Sequence, residues 1–241
     1  MNGAVSRHGE ESATAGMAVW RHRRGCIAYR DAAGADVGRE WFDLLPLPDG
    51  HLLRALCVMD AEGLVRDVSL RLDGAWRPCD GWSRVVRHGQ GDDALWFRCG
   101  DDTVVVDSRL AGEDRAAARL TAAGGLPYLG LHPLQGDALI AMARGRTAPG
   151  EFRPISAMTN SISPNGDADP GARTLTIEAA FVGRVSVEVA AGPFQADHFQ
   201  LRWQADWPVA DLWVRADDCL FLRLVWPLAP GAYELVSYEE L

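Results

Sequence analysis

The stretch Asp211–Trp226, DLWVRADDCLFLRLVW, reads as two apolar strands joined by a tight acidic turn. Trp213 and Arg215 share one strand face and Leu212 and Val214 the other, because strand side chains alternate with a period of two. Asp217 and Asp218 supply the turn, since Asp tolerates tight backbone geometry and disfavours strand interiors. Leu220, Phe221, Leu222, Leu224 and Val225 return as a run that predicts a strand buried on both faces. Almost the same pattern occurs earlier as ALWFRCGDDTVVV, Ala94–Val106.

When the chain is slid so that Val68 falls on Val185, a second reading appears without gaps. Leu72 then falls on Val189, Asp80 on Asp197 and Trp82 on Phe199. Leu95-Trp96 falls on Leu212-Trp213, Arg98 on Arg215 and Asp101 on Asp218. Chance among Arg- and Trp-rich strands is one explanation; a duplicated β unit is the other, and the constant offset favours it. Two half-sheets, each with one apolar face, would stack or close around a shared interior. The predicted fold is mainly β: an antiparallel β-roll or barrel built from two similar halves, with one or two short helices between them. Residues 1–16 read as a disordered tail and 17–241 as a single all-β domain. Within it, the first repeat covers about 50–110, a helical connection about 111–150, and the second repeat about 170–241.

The 241 residues carry a net charge of −9 at a pI near 5.1, which argues against nucleic-acid binding through a basic surface. All 24 basic residues are arginine, so no Schiff-base, general-base or phosphate-loop lysine exists. The five cysteines contain no CxxC pair and read as buried free thiols in a reducing compartment, with no metal site. Residues 1–16 lack the apolar core of a signal peptide, and no apolar run approaches the ~20 residues that cross a bilayer. These features predict a cytoplasmic protein.

Along the chain, strands are predicted at 17–30, 37–47, 51–59, 64–72 and 76–88, and the first copy of the hairpin at 94–108. Asp73-Gly74 is a two-residue turn signal. Gly112–Ala123 opens with acids and ends at two glycines, which suits a short helix. Pro133–Ala143 is a second candidate, with proline tolerated in a first turn. Asn160–Gly171 reads as a surface loop. Afterwards Leu175–Ala179 and Val185–Val189 alternate as two strands. Phe194–Trp203 places Phe199, Leu201 and Trp203 on one face and His198, Gln200 and Arg202 on the other. Tyr233–Tyr238 closes the chain, with Glu239 and Glu240 able to discourage edge pairing.

No strong catalytic signature is present. His132, in LGLHPLQGD, lies close before Asp137, and a carboxylate can orient a histidine for acid–base work. A cap or packing role is the simpler explanation of His132. His198 follows Asp197, but strand neighbours point to opposite faces and cannot pair directly. In a closed sheet, His198, Gln200 and Arg202 would line the interior; in an open one they face solvent. Arg98 and Arg215 sit beside Trp96 and Trp213 at equivalent positions. An arginine can hold a carboxylate or phosphate against an indole wall, or simply stack and stiffen the hairpin.

Leu64–Trp76, LVRDVSLRLDGAW, followed by MTNSI at Met158–Ile162 and a strand-rich tail, resembles bacterial proteins described as glycolipid-binding. The likeness rests on Thr159-Asn160 and the Asp–Gly–Ala–Trp turn. It implies a spiral β-roll of two similar halves and a hint of amphiphile binding.

Two functional expectations follow. In the first, a cavity binds a lipid- or glycolipid-like molecule, with Trp82, Trp96, Phe199 and Trp213 as walls and Arg98, Arg215 or His198 at the polar head. In the second, the same cavity houses a cofactor-independent isomerase, lyase or hydrolase in which His132, Asp137 and His198 converge. A small lipophilic ligand is the expected partner, with no cofactor and no nucleic acid.

Overall fold

The computed structural model describes residues 22–241, so the predicted tail and the start of the first strand lie outside the described residues. The described chain forms fifteen strands and two helical turns. These are β1 (Arg23–Asp31), β2 (Asp36–Leu47), β3 (Gly50–Met59), β4 (Leu64–Asp73), β5 (Pro78–Arg87), β6 (Gly91–Cys99), β7 (Thr103–Arg109), β8 (Ala116–Thr121) and β9 (Tyr128–Gly130). Then come α1 (Leu134–Asp137), α2 (Ile140–Arg144), β10 (Arg153–Ser161), β11 (Pro170–Val189), β12 (Gly192–Arg202), β13 (Ala210–Arg215), β14 (Phe221–Trp226) and β15 (Ala229–Glu240).

All fifteen belong to one sheet, ordered β8-β7-β6-β5-β4-β3-β2-β1-β15-β14-β13-β12-β11-β10-β9. Two meanders therefore lie side by side, seamed where β1 pairs antiparallel with β15. Every pairing is antiparallel except β9 with β10. The end strands β8 and β9 do not pair, so the sheet is an open roll. It curls far enough that β5 meets β9 and β6 meets β11 across the interior. Gly81 makes the first approach possible: a Cβ there would sit 2.7 Å from Leu129 Cδ2.

Alternation builds the inner face. In β4, Leu64, Arg66, Val68, Leu70 and Leu72 are buried, while Val65 and its alternate neighbours face out. One apolar core draws on both meanders and on the segment from Leu126 to Ala141, which runs inside the roll. That segment is bolted to both sides. Glu40 of β2 accepts the backbone N–H of Leu134 at 2.6 Å and of Gln135 at 3.0 Å. The Gln135 side chain donates to Cys219 O at 3.2 Å and accepts from Phe221 N at 3.0 Å.

The offset that carries Val68 onto Val185 also carries β6 onto β13 in phase: Leu95 and Phe97 are buried, as are Leu212 and Val214. Between β5 and β12 the phase inverts. Trp82 faces out and is half-buried, whereas Phe199 is fully buried.

Several expectations are corrected. Gly112–Ala123 is not helical; it contains the exposed edge strand β8, paired with β7. Its composition suits a helix, but hydrogen bonding to a free sheet edge overrides weak propensity. The stretch 111–150 thus holds two strands beside the helical turns. Leu175–Ala179 and Val185–Val189 are parts of one long strand, β11, which pairs first with β10 and then with β12. The closing strand lies at the centre of the sheet, so Glu239 and Glu240 guard no edge; they oppose Arg24 and Arg23. Val225 is exposed, so β14 is not buried on both faces throughout. Among the described residues, no helix is long and apolar enough to cross a membrane.

Candidate functional site

An inward row of polar residues crosses the first meander at one level. Strand pairing aligns Glu40 with Cys57, Cys57 with Arg66, Arg66 with Val85 and Val85 with Asp93. Burying charges in an apolar wall is costly unless each is bonded, and each one here has a partner. Asp93 pairs with Arg87 and accepts Ala111 N at 2.8 Å. Glu40 takes the two α1 amides and the Tyr29 hydroxyl, at 3.1 Å. Burial raises the Glu40 carboxyl above its usual range, and those bonds oppose the rise.

Arg66 is 1% exposed and meets no carboxylate among the described residues. It donates instead to backbone oxygens: His132 at 3.4 Å, Asn165 at 2.6 Å and Gly166 at 2.9 Å. Arg87 adds a bond to Asp167 O at 2.7 Å. The Asn160–Gly171 segment, expected as a plain surface loop, is therefore clamped onto the roll by two arginines. Gly166 allows the closeness, with φ +63 and a would-be Cβ 2.5 Å from the His132 ring.

Beneath this loop lies a cavity of about 80 Å³. Its lining includes the aromatic residues Trp203, Trp207, Trp226, Tyr29 and Tyr233, with Leu175, Ile177 and Leu224. Trp226 meets Trp203 at 4.9 Å and Trp207 at 5.3 Å between ring centroids, and donates to Pro208 O at 2.9 Å. Polar residues complete it: His132, Asp137, Thr159, Ser161 and Arg66. Exposed Ile162 marks the mouth, where Gln204 donates to its carbonyl at 3.0 Å.

His132 and Asp137 thus line one cavity but are not hydrogen-bonded to each other. The His132 Nε2 lies 3.1 Å from Ser161 O and 3.2 Å from Thr159 Oγ1. Its φ of +69 is a sparsely populated conformation for a side-chain-bearing residue. Burial, then the nearby Arg66 charge, lowers the imidazole to about 3, so the ring is neutral at neutral pH. Asp137 ends α1 and accepts the Tyr128 hydroxyl at 2.7 Å. Burial lifts its carboxyl to about 7. Glu40, by fixing the start of α1, sets where Asp137 falls.

The other sequence-derived candidates sit elsewhere. Phe199 is core. His198 faces outward, stacked on Trp213 at 4.6 Å and bonded to Asp211 at 2.8 Å, so it does not join His132 and Asp137. Trp82 and Trp96 are ladder partners on the outer face, beside a shallow trough. Arg98 lies over Trp96 at 5.2 Å and bonds Asp107. Arg215 lies over Tyr238 rather than Trp213 and is engaged by Asp218. Two residues that sequence reasoning missed, Arg66 on the cavity wall and Glu40 at the start of α1, had a visible signal: each is a charge in an otherwise inward-facing row.

No family model and no curated protein matches the chain. Among solved structures, a DUF1089 family protein from Pseudomonas aeruginosa is similar over 79% of this chain and 90% of its own, at 16% identity and a TM-score of 0.49. A β-barrel-like protein of the domain of unknown function DUF1849 from Brucella abortus covers 92% of this chain and 98% of its own, at 10% identity and a TM-score of 0.57. By fold, then, the chain is similar to a β-barrel-like protein of unknown function.

Proposed function

We propose that the protein binds an apolar or amphiphilic small molecule in the cavity beneath the 162–165 loop. The observation that carries this reading is the mixed lining: three indoles together with His132, Asp137 and Thr159. Concave sites with an apolar wall and a few convergent polar groups are the usual places for small ligands. The resemblance noted at Thr159-Asn160 points to the same ligand class. The cavity suits the polar end and first carbons of an amphiphile, with the remaining chain leaving past Ile162. Thermal unfolding with a panel of fatty acids, alcohols, amines and glycolipids tests the reading. A ligand that raises the melting temperature in the native protein but not in Trp226→Ala supports it; no shift from any class rejects it.

The second reading keeps the cavity and makes Asp137 a proton-transfer group for a lipophilic substrate. A carboxyl held at about 7 against Tyr128 is the observation in its favour. Solvent exchange of an acidic C–H in a bound ketone, lost in Asp137→Asn, would distinguish it from binding alone.

A further inference from the structure

We infer that the cavity selects ligands whose head donates hydrogen bonds, a hydroxyl or an ammonium, over ligands with a carboxylate or phosphate head. This rests on the amphiphile-binding reading above and names the ligand chemistry of that same site. The argument is an account of which polar atoms are already spent. Asp137 Oδ1 accepts the Tyr128 hydroxyl, and Oδ2 has no hydrogen-bond partner among the described residues. Ser161 O is an acceptor only, so the His132 nitrogen beside it, Nε2, carries the hydrogen. That leaves Nδ1 as a bare lone pair with no partner among the described residues. Thr159 donates its hydroxyl hydrogen to Ser161 O at 2.8 Å, and Ser161 donates its own to Ala168 O. What these groups leave for a ligand is acceptors.

Donors are scarcer. The Tyr233 hydroxyl can serve either way. Among the described residues Arg66 is the one arginine on the cavity wall, and it offers little. Its NH1 and NH2 point at the carbonyls of His132, Asn165 and Gly166, which leaves the buried Nε, without a hydrogen-bond partner, as its one unspent donor. Above about pH 7, where Asp137 is ionised, an anionic head would meet its carboxylate with a single Arg66 N–H, not a bidentate guanidinium edge, to offset the repulsion. An ammonium can donate to both Asp137 Oδ2 and His132 Nδ1, and a hydroxyl, with its single hydrogen, to one of them.

Isothermal titration at about pH 9, where Asp137 is ionised and an alkylammonium still protonated, with octanol, octylamine and octanoate tests this, because the three share one chain and differ at the head. The alcohol and the amine should bind about tenfold or more tighter than the acid, the scale of leaving one buried polar group unpaired. Asp137→Asn should narrow that gap, since the amide supplies a donor. The native series alone decides the matter if that variant fails to fold. Octanoate binding as tightly as octanol, or tighter, overturns the inference and moves head-group recognition to Arg66. Failure of all three together with the wider apolar panel overturns the binding reading itself, and the inference with it.

Discussion

Glu40 and Leu134 lie far apart in sequence, yet the Glu40 carboxylate accepts the Leu134 amide at 2.6 Å inside the roll. The bond fastens the connecting segment to the first meander, and the adjacent bond to Gln135 N completes the cap. Glu40→Ala leaves these two amides and the Tyr29 hydroxyl without an acceptor. The expected loss is about 3–5 kcal/mol, the range for breaking a buried charged network. Glu40→Gln, which keeps one acceptor oxygen, should fall between. Urea unfolding measures both; an alanine variant as stable as the native protein would show that the cap does not hold α1.

Arg66 fixes the loop over the cavity. Arg66→Met keeps the side-chain volume but removes the donors that serve His132 O, Asn165 O and Gly166 O. Hydrogen exchange across residues 162–169 should then accelerate far more than exchange in β13 and β14. Gly166→Ala should act on the same contact from the other side. Its Cβ would sit 2.7 Å from Arg66 NH2, and φ +63 is strained for alanine. A cost of roughly 1–3 kcal/mol is expected. Unchanged loop exchange in both variants would show that the loop is held by other contacts.

The two titratable groups of the cavity pull stability in opposite directions with pH. Asp137 rises from 3.8 to about 7, so in that window the folded protein holds a proton that the unfolded chain has released. Its contribution therefore falls as pH rises. His132 drops from 6.5 to about 3, so the unfolded chain binds a proton that the folded ring refuses. Its contribution rises with pH over that window. From pH 3.8 to 6.5 the two slopes offset each other. Asp137→Asn removes the falling limb, and its unfolding free energy should climb with pH across that interval relative to the native protein. Parallel curves for the two proteins would contradict the raised Asp137 carboxyl.

Much of the roll was legible because strand alternation is a local property. The Asp211–Trp226 hairpin, the β3–β4 hairpin and the inward set Phe199, Leu201 and Trp203 all follow from period two. Arg66, between Leu64 and Val68, and Glu40, between Gly38 and Phe42, announced themselves as charges in inward rows, although hairpin wording drew attention elsewhere. Other features were not readable. The helix expected at Gly112–Ala123 failed because an exposed Ala/Arg run carries no burial pattern to separate helix from edge strand. The aromatic wall depends on Trp203, Trp207 and Trp226 meeting across a curled sheet, which no local pattern encodes. The equivalence of Trp82 and Phe199 failed on phase: a one-residue change of register turns a core position outward.

The outer-face tryptophan–arginine pairs provide the sharpest control for where a ligand binds. Trp96 is 43% exposed and Arg98 lies over its ring, an arrangement that stiffens a hairpin but encloses nothing. The double variant Trp96→Ser, Arg98→Ala should lose roughly 0.5–1 kcal/mol, the worth of an exposed cation–π pair, and keep native ligand affinity. Trp226→Ala should behave oppositely. That ring is 5% exposed, touches two other indoles and donates to Pro208 O, so its loss should cost about 3–5 kcal/mol and abolish binding. Denaturant unfolding and calorimetric titration on the same samples separate the two effects. Binding lost in the outer-face variant with its fold intact would place the ligand in the trough beside Trp82, because nothing about that surface reaches the cavity wall.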